Sequence, residues 1–97
     1  MFMLVCYDVV ENRTELFRKT LGRWLHWTQN SVFSGEIDEA QKIILLSALR
    51  EITRKEDSLL IFEAKNRRNV KCCQLEPTDQ GFRQRPVGQF VGDDVVL

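Results

Sequence analysis

The run FMLVCYD, residues 2–8, is apolar until the aspartate at its end. Its aliphatic and aromatic residues, with no Gly or Pro among them, predict a first strand over Phe2 to Asp8. A carboxylate at Asp8 is costly in such a strand unless it is paired or reaches water or a metal. Strand residues alternate faces, so Tyr7 and Asp8 are expected to point in opposite directions. After VVEN the apolar period changes. Leu16, Phe17, Thr20, Leu21 and Trp24 recur at i, i+1, i+4, i+5 and i+8, which predicts a helix from about Arg13 to Leu25. Asn12 and Glu15 have the spacing of a capping box, and Glu15 stands one turn before Lys19. Arg18, Lys19 and Arg23 fall mostly outside the apolar face.

The next stretch, HWTQNSVFSGEI, carries strand-favouring Trp27, Thr28, Val32 and Phe33. It reads as one long, bent strand or two short ones, with Ser34-Gly35 as the place for a bend or bulge. Asp38, followed three residues later by Gln41, opens a second helix that runs to about Lys55. Its stripe is Ile44, Leu45, Ala48, Leu49 and Ile52. SLLIFEA is a further strand, KNRRN a polar connection and VKCCQLE another strand. After Pro77 come Gly81, Pro86, Gly88 and Gly92 with short apolar pieces, a pattern expected of an extended tail that adds a strand to another surface. The chain thus divides into a core domain, 1–76, and a C-terminal tail, 77–97.

No glycine-rich turn follows the first strand, which argues against a doubly wound nucleotide fold. The pattern fits the α+β class, a ferredoxin-like split βαβ sandwich with helices on one face of the sheet. The other face then needs a cover, and a homodimer is simpler than a tail.

Composition narrows this reading only slightly. At 97 residues, 43% of them hydrophobic and 29% charged, the chain suits a single globular domain. No apolar run approaches the ~20 residues of a membrane span, and no secretory leader is evident, so the expected location is the cytoplasm. Cys6, Cys72 and Cys73 are odd in number, and two are adjacent, which makes no disulfide framework; they read as strand residues. His26 is the sole histidine, which argues against a zinc constellation.

Charge is more informative. Lys+Arg and Asp+Glu both total 14, yet the cations cluster. Arg13, Arg18, Lys19 and Arg23 face only Glu15, and Lys65, Arg67, Arg68 and Lys71 have no acid among them. Both clusters are candidates for binding nucleic-acid phosphates. A solvated helix face and a solubilising hairpin give the same pattern.

The first strand ending VCYDV, the basic amphipathic helix, QNSVFSGE and the later EDSLLIFEA together resemble the CRISPR-associated protein two (Cas-two) family, over about Met1 to Glu76. The resemblance implies a ferredoxin-like homodimer in which the two Asp8 side chains approach each other at the interface. It implies a choice between two activities in the prokaryotic cytoplasm. One is Mg²⁺-dependent cleavage of RNA or DNA, with Asp8 as metal ligand and catalytic residue and Tyr7 bonding a phosphate or orienting the aspartate. The other is a structural role in spacer acquisition. There the dimer holds duplex prespacer DNA on its basic surface and joins the CRISPR-associated integrase subunit (Cas-one). Gln29, Ser31 and Phe33 belong to the family-like stretch as supporting residues: Ser31 reads as a phosphate donor or an ordinary strand serine, and Phe33 as core packing ahead of a base-stacking platform. Trp27 stands where many family members have arginine, which removes one phosphate contact. A third reading, a small-ligand regulator on the same fold, stays open on fold grounds.

Overall fold

β1 (Phe2–Asp8) is the central organiser of a four-stranded antiparallel sheet, in the order β2-β3-β1-β4. The computed structural model of the protein describes residues 1–86, apart from the Gln74 side chain. In chain order, β1 leads through a 3₁₀ turn (Glu11–Arg13) into α1 (Thr14–Leu21), then β2 (His26–Gln29), β3 (Val32–Glu36), α2 (Glu39–Ile52) and β4 (Ser58–Ala64). This β-α-β-β-α-β succession with that strand order is the ferredoxin-like arrangement expected from the sequence.

The HWTQNSVFSGEI stretch takes the two-strand alternative. Asn30 sits at the bend with φ +42°, a left-handed conformation that Asn tolerates better than most side chains. The irregularity falls between Trp27 and Gln29 of β2, not at Ser34-Gly35, which pair in register with Leu4 and Met3.

Both helices are shorter than their apolar periods suggest. α1 stops at Leu21 because Gly22 follows, and the Leu21 carbonyl then accepts from the amides of Trp24 (3.1 Å) and Leu25 (2.9 Å) in a closing turn. Its start lacks the expected Asn12 cap: the 3₁₀ turn occupies that place, and Arg13 is the N-cap without a side-chain bond. Glu15 pairs with Arg18, at i, i+3, instead of Lys19. α2 does begin with the expected capping box. The Gln41 amide donates to Asp38 Oδ1 at 2.7 Å and the Asp38 amide to Gln41 Oε1 at 3.0 Å.

The helices cover one face of the sheet. Met3, Val5 and Tyr7 of β1 point into a core with Phe17, Leu21, Leu25, Phe33, Leu45 and Leu49. Leu16 and Ile44 of the expected stripes are exposed, since only one edge of each helix meets the sheet. Residues paired across antiparallel strands share a face. Leu4, Cys6, Val32, Leu60 and Phe62 therefore lie on the face away from the helices. Leu60 and Phe62 are 59% and 57% exposed there.

Beyond β4, a 3₁₀ turn (Arg67–Asn69) leads to β5 (Cys73–Thr78) and β6 (Gly81–Pro86), a separate two-stranded hairpin. Cys72 precedes the strand and Cys73 begins it; both are free thiols, as is Cys6. The expected boundary at 76/77 falls inside β5, because Pro77 and Thr78 pair with Phe82 and Gly81. Residues 87–97 of the expected tail lie outside the described residues. Among the described residues, no helix is long and apolar enough to cross a membrane.

Candidate nucleic-acid interface

Tyr7 and Asp8 end β1 on opposite faces, as strand alternation requires. The Tyr7 ring stacks on Phe17 at 5.5 Å and Phe33 at 6.3 Å between centroids, and only 4% of the residue is exposed. Its Oη is enclosed and makes no hydrogen bond. Burial raises the phenol pKa; the nearby Ser31 side chain pulls it part of the way back without reaching bonding geometry with Oη. Tyr7 and Phe33 are thus core residues, held away from any substrate on the opposite face. Asp8 is exposed and pairs with Ser58 of β4, on the same face as Cys6, Leu60 and Phe62. The Tyr7 amide donates to the Ser31 carbonyl at 3.0 Å, so the Asn30-Ser31 bend abuts this end of β1. Gln29, exposed, and Ser31, half-buried, stand at that same end.

Asp8 is an exposed acid at this end of the sheet. Among the described residues there is no group of three or more His, Cys, Asp or Glu side chains able to enclose an ion. Mg²⁺ accepts one or two carboxylates and completes its shell with water and phosphate oxygens. One chain meets the lower end of that requirement, and a second Asp8 brought face to face meets the upper.

The basic residues fall into three environments. Arg13 leaves the expected phosphate-binding set, because its guanidinium is committed internally. Nε and Nη2 donate to Asp57 Oδ1 (3.2 Å) and Oδ2 (2.6 Å), and Nη2 also donates to the Ile52 carbonyl (2.6 Å). The Asp57 side chain is fully enclosed, and the Arg13 hydrogen bonds hold its carboxyl below the usual carboxylate range. This bidentate tie locks the α2–β4 connection onto the start of α1. Nothing in the local pattern around Arg13 reveals it, since Asp57 lies 44 residues away.

Arg18, Lys19 and Arg23 are exposed on and just after α1. Arg18 Nη1 bonds Glu15 Oε2 at 3.1 Å, while Arg23 shares a groove between the helices with Glu51. Lys65, Arg67, Arg68 and Lys71 surround the 3₁₀ turn after β4. The Arg67 amide donates to Glu36 Oε1 at 2.6 Å, which fixes this turn beside the end of β3. Ala64 pairs with Phe2 and Ser58 with Asp8, so this cluster lies about 20 Å along the strands from Asp8. The structure therefore brings Asp8, Gln29 and Ser31 together and keeps the second basic cluster at the opposite end.

Sequence reasoning expected one sheet face to need a cover but did not name its β4 residues, and it did not single out Trp27 as an exposed surface. The alternation of SLLIFEA carried the first signal: Leu60 and Phe62 share a phase with Asp8 through β1. Trp27 gave a weaker one, an aromatic residue three positions before the bend at Asn30.

Comparison with known proteins agrees with this geometry. The family model described as CRISPR associated protein Cas2 matches residues 1–71. A curated relative from Thermodesulfovibrio yellowstonii, named CRISPR-associated endoribonuclease Cas2 3, is 37% identical over 71 residues, 72% of this chain and 81% of its own. One from Methanothermobacter thermautotrophicus, named CRISPR-associated endoribonuclease Cas2, is 36% identical over 83 residues, 80% of this chain and 91% of its own. The crystal structure of Streptococcus pyogenes Cas2 at pH 6.5 superposes with a TM-score of 0.63 at 27% identity, covering 74% of this chain and 98% of that one. The strand order, the exposed aspartate closing β1 and the match over residues 1–71 lead to one assignment: the chain belongs to the CRISPR-associated Cas2 family.

Proposed function

We propose that the chain acts in CRISPR spacer acquisition as a homodimer that carries duplex prespacer DNA and bridges Cas-one integrase subunits. The observation that carries this reading is the separation of its surfaces. The apolar patch of Leu60 and Phe62 lies on one face of the sheet, and the exposed cations of α1 lie on the other side, beyond the helices. A second copy covering the first leaves the second free for phosphates, and dimerisation doubles the set of cations. Sequence-independent duplex binding needs this kind of basic surface. The apolar side of the β5–β6 hairpin, with Leu75 and Phe82 exposed at 59% and 73%, offers further area for the partner copy.

The test uses the purified chain with its cognate integrase and labelled duplex. Arg18→Glu with Arg23→Glu weakens duplex binding and integration together and lowers the salt slope by about one for each phosphate no longer engaged. Asp8→Asn leaves both largely intact. Loss of integration in Asp8→Asn, with assembly preserved, would contradict the structural role.

A second reading has its own support in the exposure of Asp8 on the open face and in the endoribonuclease names of the curated relatives. Two Asp8 carboxylates would then hold a divalent metal, and the chemistry it would supply is Lewis-acid activation of water against a phosphodiester. The protein's own part is to hold the acids at rigid strand ends and to admit the backbone between the protomers. Mg²⁺-dependent cleavage that disappears in Asp8→Asn supports this reading, and equal cleavage by the variant overturns it.

A further inference from the structure

Trp27 is 60% exposed, although its cross-strand partner Phe33 is 4% exposed. The indole is not loosely placed: Nε1 donates to the Asn30 carbonyl at 2.8 Å, which ties the ring to the bend between β2 and β3. That bond satisfies the polar atom and fixes the ring, and the residue keeps most of its surface in water. A held aromatic surface loses little freedom when a second ring settles on it. Trp27 lines a shallow groove between α1 and β2 with Glu15, Arg18, Lys19 and His26. Glu15 is engaged by Arg18 at 3.1 Å, so the acid in the groove is balanced and Lys19 leaves it net positive. An aromatic ring rimmed by cations matches a nucleic-acid strand, with its flat base and its anionic backbone.

We propose that Trp27, with Lys19 and Arg18 beside it, is a stacking shelf for one unpaired base of a single-stranded segment. Bases inside a duplex are stacked on their neighbours and cannot present a face to the indole. The shelf therefore engages an overhang, a frayed end or a free single strand, and it is indifferent to the interior of a duplex. The inference rests on the nucleic-acid reading above and adds to it the kind of strand end that is held. DNA and RNA share the required chemistry, a base face and a phosphate.

The experiment uses the full chain with Trp24→Phe, so that Trp27 is the remaining indole. Short oligothymidylate, short oligouridylate and a long blunt duplex, whose two ends are a small share of its sites, are titrated separately while emission is followed. Saturable quenching by either oligomer, and none by the blunt duplex, is the expected result; the oligomer that quenches at lower concentration identifies the preferred strand. In the native background, Trp27→Ala weakens oligomer binding about tenfold without changing blunt-duplex affinity. Trp27→Phe restores most of the loss, and Trp27→Leu does not. Circular dichroism confirms that each variant is folded. Oligomer binding without quenching, or equal rescue by Leu and Phe, overturns the shelf. Duplex binding with no response to either oligomer overturns the shelf and leaves duplex carriage standing. Quenching by oligomers with no duplex binding upholds the shelf and overturns duplex carriage.

Discussion

The two faces of β1 differ most toward the end of the strand that carries Asp8. On the helix side of β1, Met3, Val5 and Tyr7 each meet α1, α2 or a neighbouring strand and are fully or almost fully enclosed. On the other side, Leu4 and Cys6 sit beside Leu60 and Phe62, which stand more than half exposed. The first face is completed by the chain itself. The second is covered only at its far end, where Phe2 is 2% exposed, and it carries Asp8 at the other. The fold thus finishes one face internally and leaves Leu60 and Phe62 of the other in water. Substitutions on the helix side should act on folding, and substitutions on the open side should act on assembly.

The largest effect is expected where the closed face is opened. Phe17→Ala removes a fully buried ring that stacks on Tyr7, and it should cost about 3–5 kcal/mol, read as a lower urea midpoint. That is a large share of the stability of a domain this size. Tolerance of the change would mean that the helix face is not the core.

Next in size is the Arg13–Asp57 tie, which fastens the edge of that same face. Asp57 is held below the ordinary carboxylate range, chiefly by its hydrogen bonds to Arg13. Its contribution to stability is therefore present above that range and fades as pH falls through the lowered value. Thermal melting from neutral to acid pH should fall more steeply for the wild type than for Asp57→Asn, which starts less stable. Parallel curves would contradict the tie.

The smallest effect is expected at Tyr7. Its Oη is buried without a partner, so Tyr7→Phe should change stability at neutral pH by less than about 1 kcal/mol. Burial raises the phenol pKa, so the folded state favours the protonated form. That contribution is complete below the ordinary phenol range near about 10 and is lost as pH rises through the raised value. Alkaline melting of Tyr7→Phe should accordingly lack the last part of the wild-type decline. A large loss at neutral pH would mean that the hydroxyl has a role on the closed face.

The same contrast explains what the sequence could and could not reveal. Period and capping are local, so β1, α2 with its Asp38–Gln41 box and β4 were legible to within a few residues. The end of α1 was not, because the apolar period continues through Trp24 and Leu25 while the backbone turns after Gly22. The fate of a cation is not local either. Arg13 and Arg18 look alike in the sequence, yet one is enclosed against Asp57 across 44 residues and the other lies open on the helix. Tyr7 and Asp8 show the opposite case, in which a two-residue alternation suffices to separate a core ring from a surface carboxylate. Whether an apolar face is covered by its own chain depends on strand order, which a linear pattern carries only weakly.

The central claim is that the open face of the sheet is closed by a second copy, which brings Asp8 to the interface. Sedimentation equilibrium of the wild type and of Phe62→Asp tests it most directly, because Phe62 is exposed on that face and outside the enclosed core. The wild type should have twice the mass of one 97-residue chain, and the variant the mass of one, with an unchanged far-ultraviolet spectrum. A wild type with the mass of one chain, or a folded variant that keeps the mass of two, would contradict it.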